Sequence, residues 1–150
     1  MIRTKTEMHG KYEVSVYEID IDNDMRMAAL QFARKIVLSN NQYHRLMPED
    51  IRNLGDVGLQ QKIEIQRTYV GKLGELVFLK LLRAKGKNIN TEGMFDVFDG
   101  QNNFDSFDFI TANGKTVDVK TGFRNIHSRL LINIEQFDNA PKEYYVGVKL

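Results

Sequence analysis

The sequence predicts an α/β domain, because two stretches of helical periodicity are followed by short extended segments rich in phenylalanine, valine and aspartate. The first helix is predicted over residues 25–40, and the long second helix over residues 59–84 with Gly86 placed to end it. Predicted strands cover residues 12–19, 94–98, 107–110, 116–121 and 144–148. A chain of 150 residues with 42% hydrophobic and 27% charged composition fits one domain with a single core.

Composition excludes several classes of protein. The chain has no cysteine, so disulfides, thiolate zinc sites and thiol nucleophiles are excluded, and any metal must be held by oxygen or imidazole. The histidines at 9, 44 and 127 lack the spacing of zinc ligands. No run of about 18 apolar residues is present and the N-terminal residues are polar, which predicts a cytoplasmic protein without a membrane partner.

The distribution of charge is more informative than the net charge of +1. Residues 61–87 carry seven lysine or arginine residues against two glutamates, whereas residues 88–150 carry six basic against nine acidic residues. A site that binds both divalent cations and phosphates needs acidic residues close to basic ones. The same basic residues also fit a solvated helix face, and charge alone does not separate the two interpretations.

The segment from Lys115 to Gly122 predicts the centre of a catalytic site. In an extended strand, Asp118 and Lys120 project to the same side, about 6 to 7 Å apart along the backbone. Phosphodiester hydrolysis needs such a pair. A carboxylate binds Mg²⁺, which prefers oxygen ligands, while an amine orients or deprotonates the attacking water or offsets negative charge.

Asp108 is the predicted partner of Asp118, because a single carboxylate binds Mg²⁺ weakly. A two-residue Asn-Gly loop would pair Ala112 with Lys115 and put Asp108 on the wrong face. A three-residue loop with Gly114 in the left-handed conformation pairs Thr111 with Lys115 and brings Asp108 opposite Asp118. We predict the three-residue loop.

Glu75 is the third candidate, in the middle of the long predicted helix. Its helical neighbours are mostly apolar, so the carboxylate needs a compensating partner. A structural carboxylate that caps a nearby loop would have the same sequence pattern. Gly71 and Gly74 lower the helix propensity, by roughly 1 kcal/mol each relative to alanine, which predicts a close approach of backbone or ligand beside Glu75.

Glu75 on a helix, Asp108 on a strand and then Asp118-Val119-Lys120 together resemble the PD-(D/E)XK nuclease superfamily, over roughly residues 67–150. The resemblance implies a restriction-endonuclease-like core, a mixed sheet flanked by helices in the order αβββαβ, after an N-terminal helical extension at 1–60. It implies that Asp108, Asp118 and the Val119 carbonyl bind Mg²⁺, or Mn²⁺ in its place. Lys120 would serve the attacking water, and Glu75 would position water or a second ion. Phe107 stands at the proline of the signature, which leaves Asp105 as an alternative to Asp108.

The function expected from this resemblance is Mg²⁺-dependent cleavage of DNA by a homodimer, with 5′-phosphate and 3′-hydroxyl ends, as in a type II restriction endonuclease. Two alternatives remain open: a repair, recombination or phage-type nuclease that selects DNA structure, and a non-catalytic nucleic-acid-binding module of the same fold. The residues predicted to contact DNA are Lys72, Lys80, Arg83, Thr121 and Arg124.

Overall fold

The computed structural model describes residues 1–40, 47–101, 108–124, 131–132 and 134–150. Within these ranges the chain is mixed α/β, with two small sheets and four helices. The elements are β1 (Ile2–His9), β2 (Tyr12–Ile19), α1 (Asn23–Leu38), α2 (Glu49–Asn53), α3 (Val57–Ala84), β3 (Phe109–Ile110), β4 (Thr116–Gly122), α4 (Ile134–Asn139) and β5 (Tyr144–Lys149). None of the helices in these ranges is long and apolar enough to cross a membrane.

An antiparallel hairpin of β1 and β2 opens the chain, paired from Ile2 opposite Ile19 to His9 opposite Tyr12. Gly10 has a φ of 64°, which the tight turn between the strands requires. Strand β2 was predicted from its alternating valines, whereas β1 was not. Most of the β1 side chains are exposed and polar, so its extended conformation depends on pairing with β2.

Helices α1 and α3 pack against each other and form the helical part of the domain. Asp22 caps α1 by accepting a 2.9 Å hydrogen bond from the backbone N–H of Met25. The buried face of α1 consists of Ala29, Ala33 and Ile36, and its two alanines allow a close approach between helices.

The long helix α3 begins after Asp56, whose side chain caps the backbone N–H of Leu59 at 2.9 Å. It ends at Ala84, two residues before Gly86, which has a φ of 68°. A left-handed glycine at this place ends a helix without a steric penalty from Cβ. The predicted span of 59–84 is therefore confirmed to within two residues.

Three strands form the second sheet in the order β3-β4-β5, with β3 antiparallel and β5 parallel to the central strand β4. Helix α3 covers one face of this sheet, where Leu79 of the helix packs against Phe109, Val117 and Val119. Because side chains alternate along a strand, Asp118 and Lys120 belong to the face opposite Val117 and Val119.

The predicted strand at 94–98 is wrong. This segment forms turns, in which the N–H of Met94 donates to the Thr91 carbonyl at 3.2 Å and that of Asp96 donates to the Gly93 carbonyl at 3.0 Å. Gly93 has a φ of 79°, which breaks the extended conformation just before the segment. The apolar residues Met94 and Phe95 pack individually against α3 and α1 and not as one strand face.

Candidate functional site

The turn between β3 and β4 brings Asp108 next to Asp118. Thr111 donates its backbone N–H to the Lys115 carbonyl at 2.8 Å, and Gly114 has a φ of 75°. Phe109 pairs with Val117, and the backbone N–H of Asp108, the residue just before β3, donates to the same Val117 carbonyl at 3.0 Å. The predicted three-residue loop and its pairing of Thr111 with Lys115 are confirmed, but the regular ladder ends at Phe109 and does not pair Asp108 with Asp118.

The Asp108 carboxylate lies in a partly buried position, where it accepts a 2.6 Å hydrogen bond from the backbone N–H of Val119. Burial and then the negative charge of Glu75, with a smaller contribution from Asp118, together raise the pKa of Asp108 to about 7, against the lowering effect of the Val119 N–H. Carboxylates from α3, β3 and β4 therefore act on one another electrostatically. This mutual repulsion is the environment in which a bound cation is most favourable.

Asp118 is buried, with a side chain only 9% exposed, and Lys120 Nζ lies 2.7 Å from its Oδ2. Within the described parts of the chain, this oxygen has the Lys120 ammonium as an ionic neighbour but no hydrogen-bond partner. A buried carboxylate oxygen without a hydrogen bond is costly. It is a suitable ligand for a cation.

Lys120 also donates to the side-chain oxygen of Gln136 at 3.4 Å, and this residue of α4 was not predicted to take part in the site. The segment 130–137 has mixed periodicity, which gave no assignment to helix or strand, and the structure shows α4 at Ile134–Asn139. Gln136 comes close to Lys120 only through the packing of α4 beside the sheet. No local sequence signal indicates that contact.

Glu75 pairs with Lys72, one turn earlier in α3, with 2.5 Å between Nζ and Oε2. Lys72 is 7% exposed, and its ammonium also donates to the Met94 carbonyl at 2.9 Å. The same ammonium lies 4.4 Å from the ring centre of Phe32 and 5.7 Å from that of Phe95. The compensating partner that Glu75 requires is therefore a buried lysine.

Gly74 of α3 lies directly against Thr121 of β4. A Cβ on Gly74 would lie 2.9 Å from Cβ of Thr121 and still closer to its Oγ1. The sequence predicted a close approach at this glycine, and the structure confirms it for Gly74, with the Thr121 side chain as the neighbour. The Thr121 hydroxyl is buried there and has no hydrogen-bond partner among the residues that the structure describes.

The predicted DNA contacts divide into three groups by exposure. Arg83 and Arg124 are exposed, whereas Lys72 and the Thr121 hydroxyl are buried and do not face solvent. The expectation that Lys72 and Thr121 contact a phosphate backbone is therefore corrected: both side chains are used in packing around α3. Lys80 is partly exposed and donates to the Asp20 carbonyl at 2.8 Å and to Asp22 Oδ2 at 2.9 Å. Asp105, the alternative to Asp108, lies outside the described residues.

The donor set fits a hard divalent cation in chemistry, although its geometry is not that of an assembled metal site. Among the described residues, no three acidic or histidine side chains form a ready metal-binding group. Asp118 and Glu75 each contact a lysine instead. Asp118 Oδ2, which has only an ionic neighbour, and the buried Asp108 carboxylate are the oxygen atoms that would hold Mg²⁺.

Comparison of the chain with protein-family models, curated proteins and solved structures gave no match. The residues of the site and their chemistry are therefore the evidence from which a function can be inferred.

Proposed function

We propose that this chain is a metal-dependent nuclease domain with a restriction-endonuclease-like core, which hydrolyses DNA phosphodiester bonds with Mg²⁺. The observation that carries the proposal is the Asp108 carboxylate beside β4, where it accepts a 2.6 Å hydrogen bond from the N–H of Val119, with Asp118 and Lys120 on either side of Val119 and 2.7 Å apart. Glu75 supports it from α3, because its charge contributes to the raised pKa of Asp108.

The chain's own groups can divide the work of hydrolysis. Asp108 and Asp118 would hold the ion, with the Val119 carbonyl as a further oxygen ligand. When bound, Mg²⁺ acts as a Lewis acid on the phosphodiester. Lys120 would orient the attacking water and balance the charge that develops on the phosphoryl oxygens. Glu75 would position a second water or ion.

In the proposed reaction, a water oxygen attacks phosphorus and the bond between phosphorus and the 3′ oxygen breaks. The leaving oxygen takes up a proton, so the products are a 5′-phosphate and a 3′-hydroxyl end. Arg83 and Arg124 are the exposed predicted contacts for the DNA backbone, and DNA affinity from such contacts decreases with salt. A homodimer with one site per subunit is the proposed assembly for cutting both strands.

The direct test is nicking of supercoiled plasmid in Mg²⁺ or EDTA by the wild type, Asp118→Asn and Lys120→Ala. We expect cleavage by the wild type with Mg²⁺ alone, and a loss of about 100-fold or more in each variant. Asp138→Asn is the matched control, because Asp138 is an exposed carboxylate on α4. Equal activity of the wild type, Asp118→Asn and Lys120→Ala would exclude this catalytic assignment.

A further inference from the structure

The surroundings of Lys72 are unusual for a lysine. Its side chain is 9% exposed, so the ammonium has lost most of its water. Removing an ammonium from water costs several kcal/mol unless other groups replace the hydration. Here the replacements come from the Glu75 carboxylate, the Met94 carbonyl and the faces of Phe32 and Phe95.

A contribution to stability alone does not account for this arrangement. A buried ion pair can often be replaced by apolar residues of similar size with little loss of stability, or with a gain. Lys72 and Glu75 also lie on the same helix at a separation of three residues, so their pairing does not connect α3 to another element. The result of the pairing is a fixed position for the Glu75 carboxylate.

Two parts of the chain outside α3 hold the lysine itself in place. Phe32 comes from α1, Phe95 and Met94 come from the turns after α3, and the two phenylalanine rings meet edge to face at 6.0 Å. These contacts limit the ammonium to one place, and the ammonium in turn limits the rotamers of Glu75. Gly74, the residue before Glu75, lies directly against Thr121 of β4, so Glu75 is on the part of α3 that packs beside the strand of Asp118.

We infer that Lys72 is a positioning residue for the nuclease site, which holds the Glu75 carboxylate toward Asp108 and Asp118 through a buried ammonium surrounded by Phe32, Phe95 and Met94. The inference rests on the proposed function. It means that α1 and residues 94–95 hold Lys72 in place and so help to orient Glu75. Lys72 touches neither DNA nor the ion in this role. Its effect passes through Glu75.

A double-mutant cycle tests the inference with Lys72→Met, Glu75→Gln and the double variant. Methionine keeps the length and apolar contacts of the lysine stem and removes the charge. The affinity for Mg²⁺ is measured by calorimetry without DNA, and the turnover number is measured by plasmid nicking. We expect Lys72→Met to weaken Mg²⁺ binding about 10-fold to 100-fold, as the loss of other groups that orient metal ligands does.

The cycle separates positioning from a general structural effect. If Lys72 acts through Glu75, adding Lys72→Met to the Glu75→Gln variant changes the Mg²⁺ affinity by less than about twofold. Additive losses of Mg²⁺ affinity, or an unchanged affinity in Lys72→Met, would overturn the inference. If Lys72→Met loses the circular dichroism spectrum of the wild type, the cycle is run with Lys72→Arg, which keeps the charge and changes the geometry.

Lys85→Met is the matched control, because Lys85 also lies over an aromatic ring, that of Tyr17 at 4.7 Å, but at the far end of α3. It should leave Mg²⁺ affinity and nicking unchanged. A wild type that neither binds Mg²⁺ nor nicks DNA would overturn both the proposed function and the inference. An active wild type with an unaffected Lys72→Met variant would overturn the inference alone.

Discussion

Asp108 is a carboxylic acid whose surroundings favour the protonated form. Because burial and the charges of Glu75 and Asp118 raise its pKa from 3.8 to about 7, the folded protein retains a proton that the unfolded chain releases above about pH 4. The stabilisation from this proton is complete below the unfolded pKa. It is lost as the pH rises through the folded pKa of about 7.

We therefore expect the metal-free protein in EDTA to become less stable as the pH rises from about 4 to about 7, by an amount on the order of a few kcal/mol. Asp108→Asn, which can still accept from the Val119 N–H, should reduce this dependence. Mg²⁺ should restore stability at the upper end of the range, because it replaces the proton as the neutralising charge. Thermal unfolding across this pH range measures all three effects, and an identical pH dependence in Asp108→Asn would contradict the assignment.

Gly74 provides a test of packing at the same site. Alanine in a helix is favoured over glycine by up to about 1 kcal/mol, but at this position the new Cβ overlaps the Thr121 side chain. We expect Gly74→Ala to destabilise the protein by about 1 to 3 kcal/mol, the usual cost of overpacking. Gly58→Ala in the same helix is the control, because its Cβ would meet only Asp56 Oδ1 at 3.4 Å. Chemical denaturation should show a loss for the first variant and none for the second.

At the scale of single residues, the sequence predicted the pair of Asp108 and Asp118 because strand alternation and turn geometry are local rules. Lys72 was assigned to the exposed basic face of its helix, and the structure shows it buried. A flexible lysine can turn either way, and its direction is set by Phe32 and Met94, which are distant in sequence. Long-range contacts of this kind leave no periodic pattern.

Asp22, at the junction between α1 and α3, has a side chain with two interactions. Asp22 caps the first turn of α1 through the Met25 N–H, and it also pairs with Lys80 of α3 at 2.9 Å. The Lys80 ammonium, followed by the Met25 N–H, lowers the pKa of Asp22 below its ordinary value of 3.8. The stabilisation that the charged Asp22 carboxylate provides is therefore present above about pH 4, and it is lost as the pH falls through the lowered pKa of Asp22.

We expect Asp22→Ala to lower the melting temperature by a few degrees, since it removes both the cap and the ion pair. Asp22→Asn keeps an acceptor for the Met25 N–H and loses only the charge, so its effect should be smaller. The difference between Asp22→Asn and the wild type should disappear in acid, where the wild-type carboxyl is also neutral. Melting curves at neutral and low pH make the comparison, and equal effects of the two substitutions at neutral pH would contradict the capping role.

Elements were predictable where one periodic signal and one end signal agreed. Helix α3 has an apolar stripe and a glycine at its end, and β4 has alternating valines between polar residues, and both were located closely. The strand predicted at 94–98 failed because a short apolar run fits a strand or a turn equally well, and Gly93 favours the turn. Strand β1 was missed because its polar residues become extended only through pairing with β2.

On the scale of the molecule, the N-terminal part and the proposed catalytic core cannot be treated as independent units. Helix α1 supplies Phe32 to the surroundings of Lys72, and the start of α1 is connected to α3 through Lys80. The sequence predicted residues 1–60 as an extension to a core at 61–150. Phe32 of this extension contacts Phe95 and the Lys72 ammonium, which pairs with Glu75. Composition and periodicity did not indicate these contacts.

The proposed dimer gives the last prediction, because one hydrolytic site can cut only one strand of a duplex at a time. If two subunits act together, nicking should be first order in protein, whereas direct formation of linear plasmid should rise more steeply with protein concentration. Adding an excess of Asp118→Asn protein to the wild type should then favour nicked over linear product, since mixed dimers retain one active site. Gel quantification of the two products tests this, and a constant ratio of linear to nicked product at every mixture would show that each subunit cuts independently.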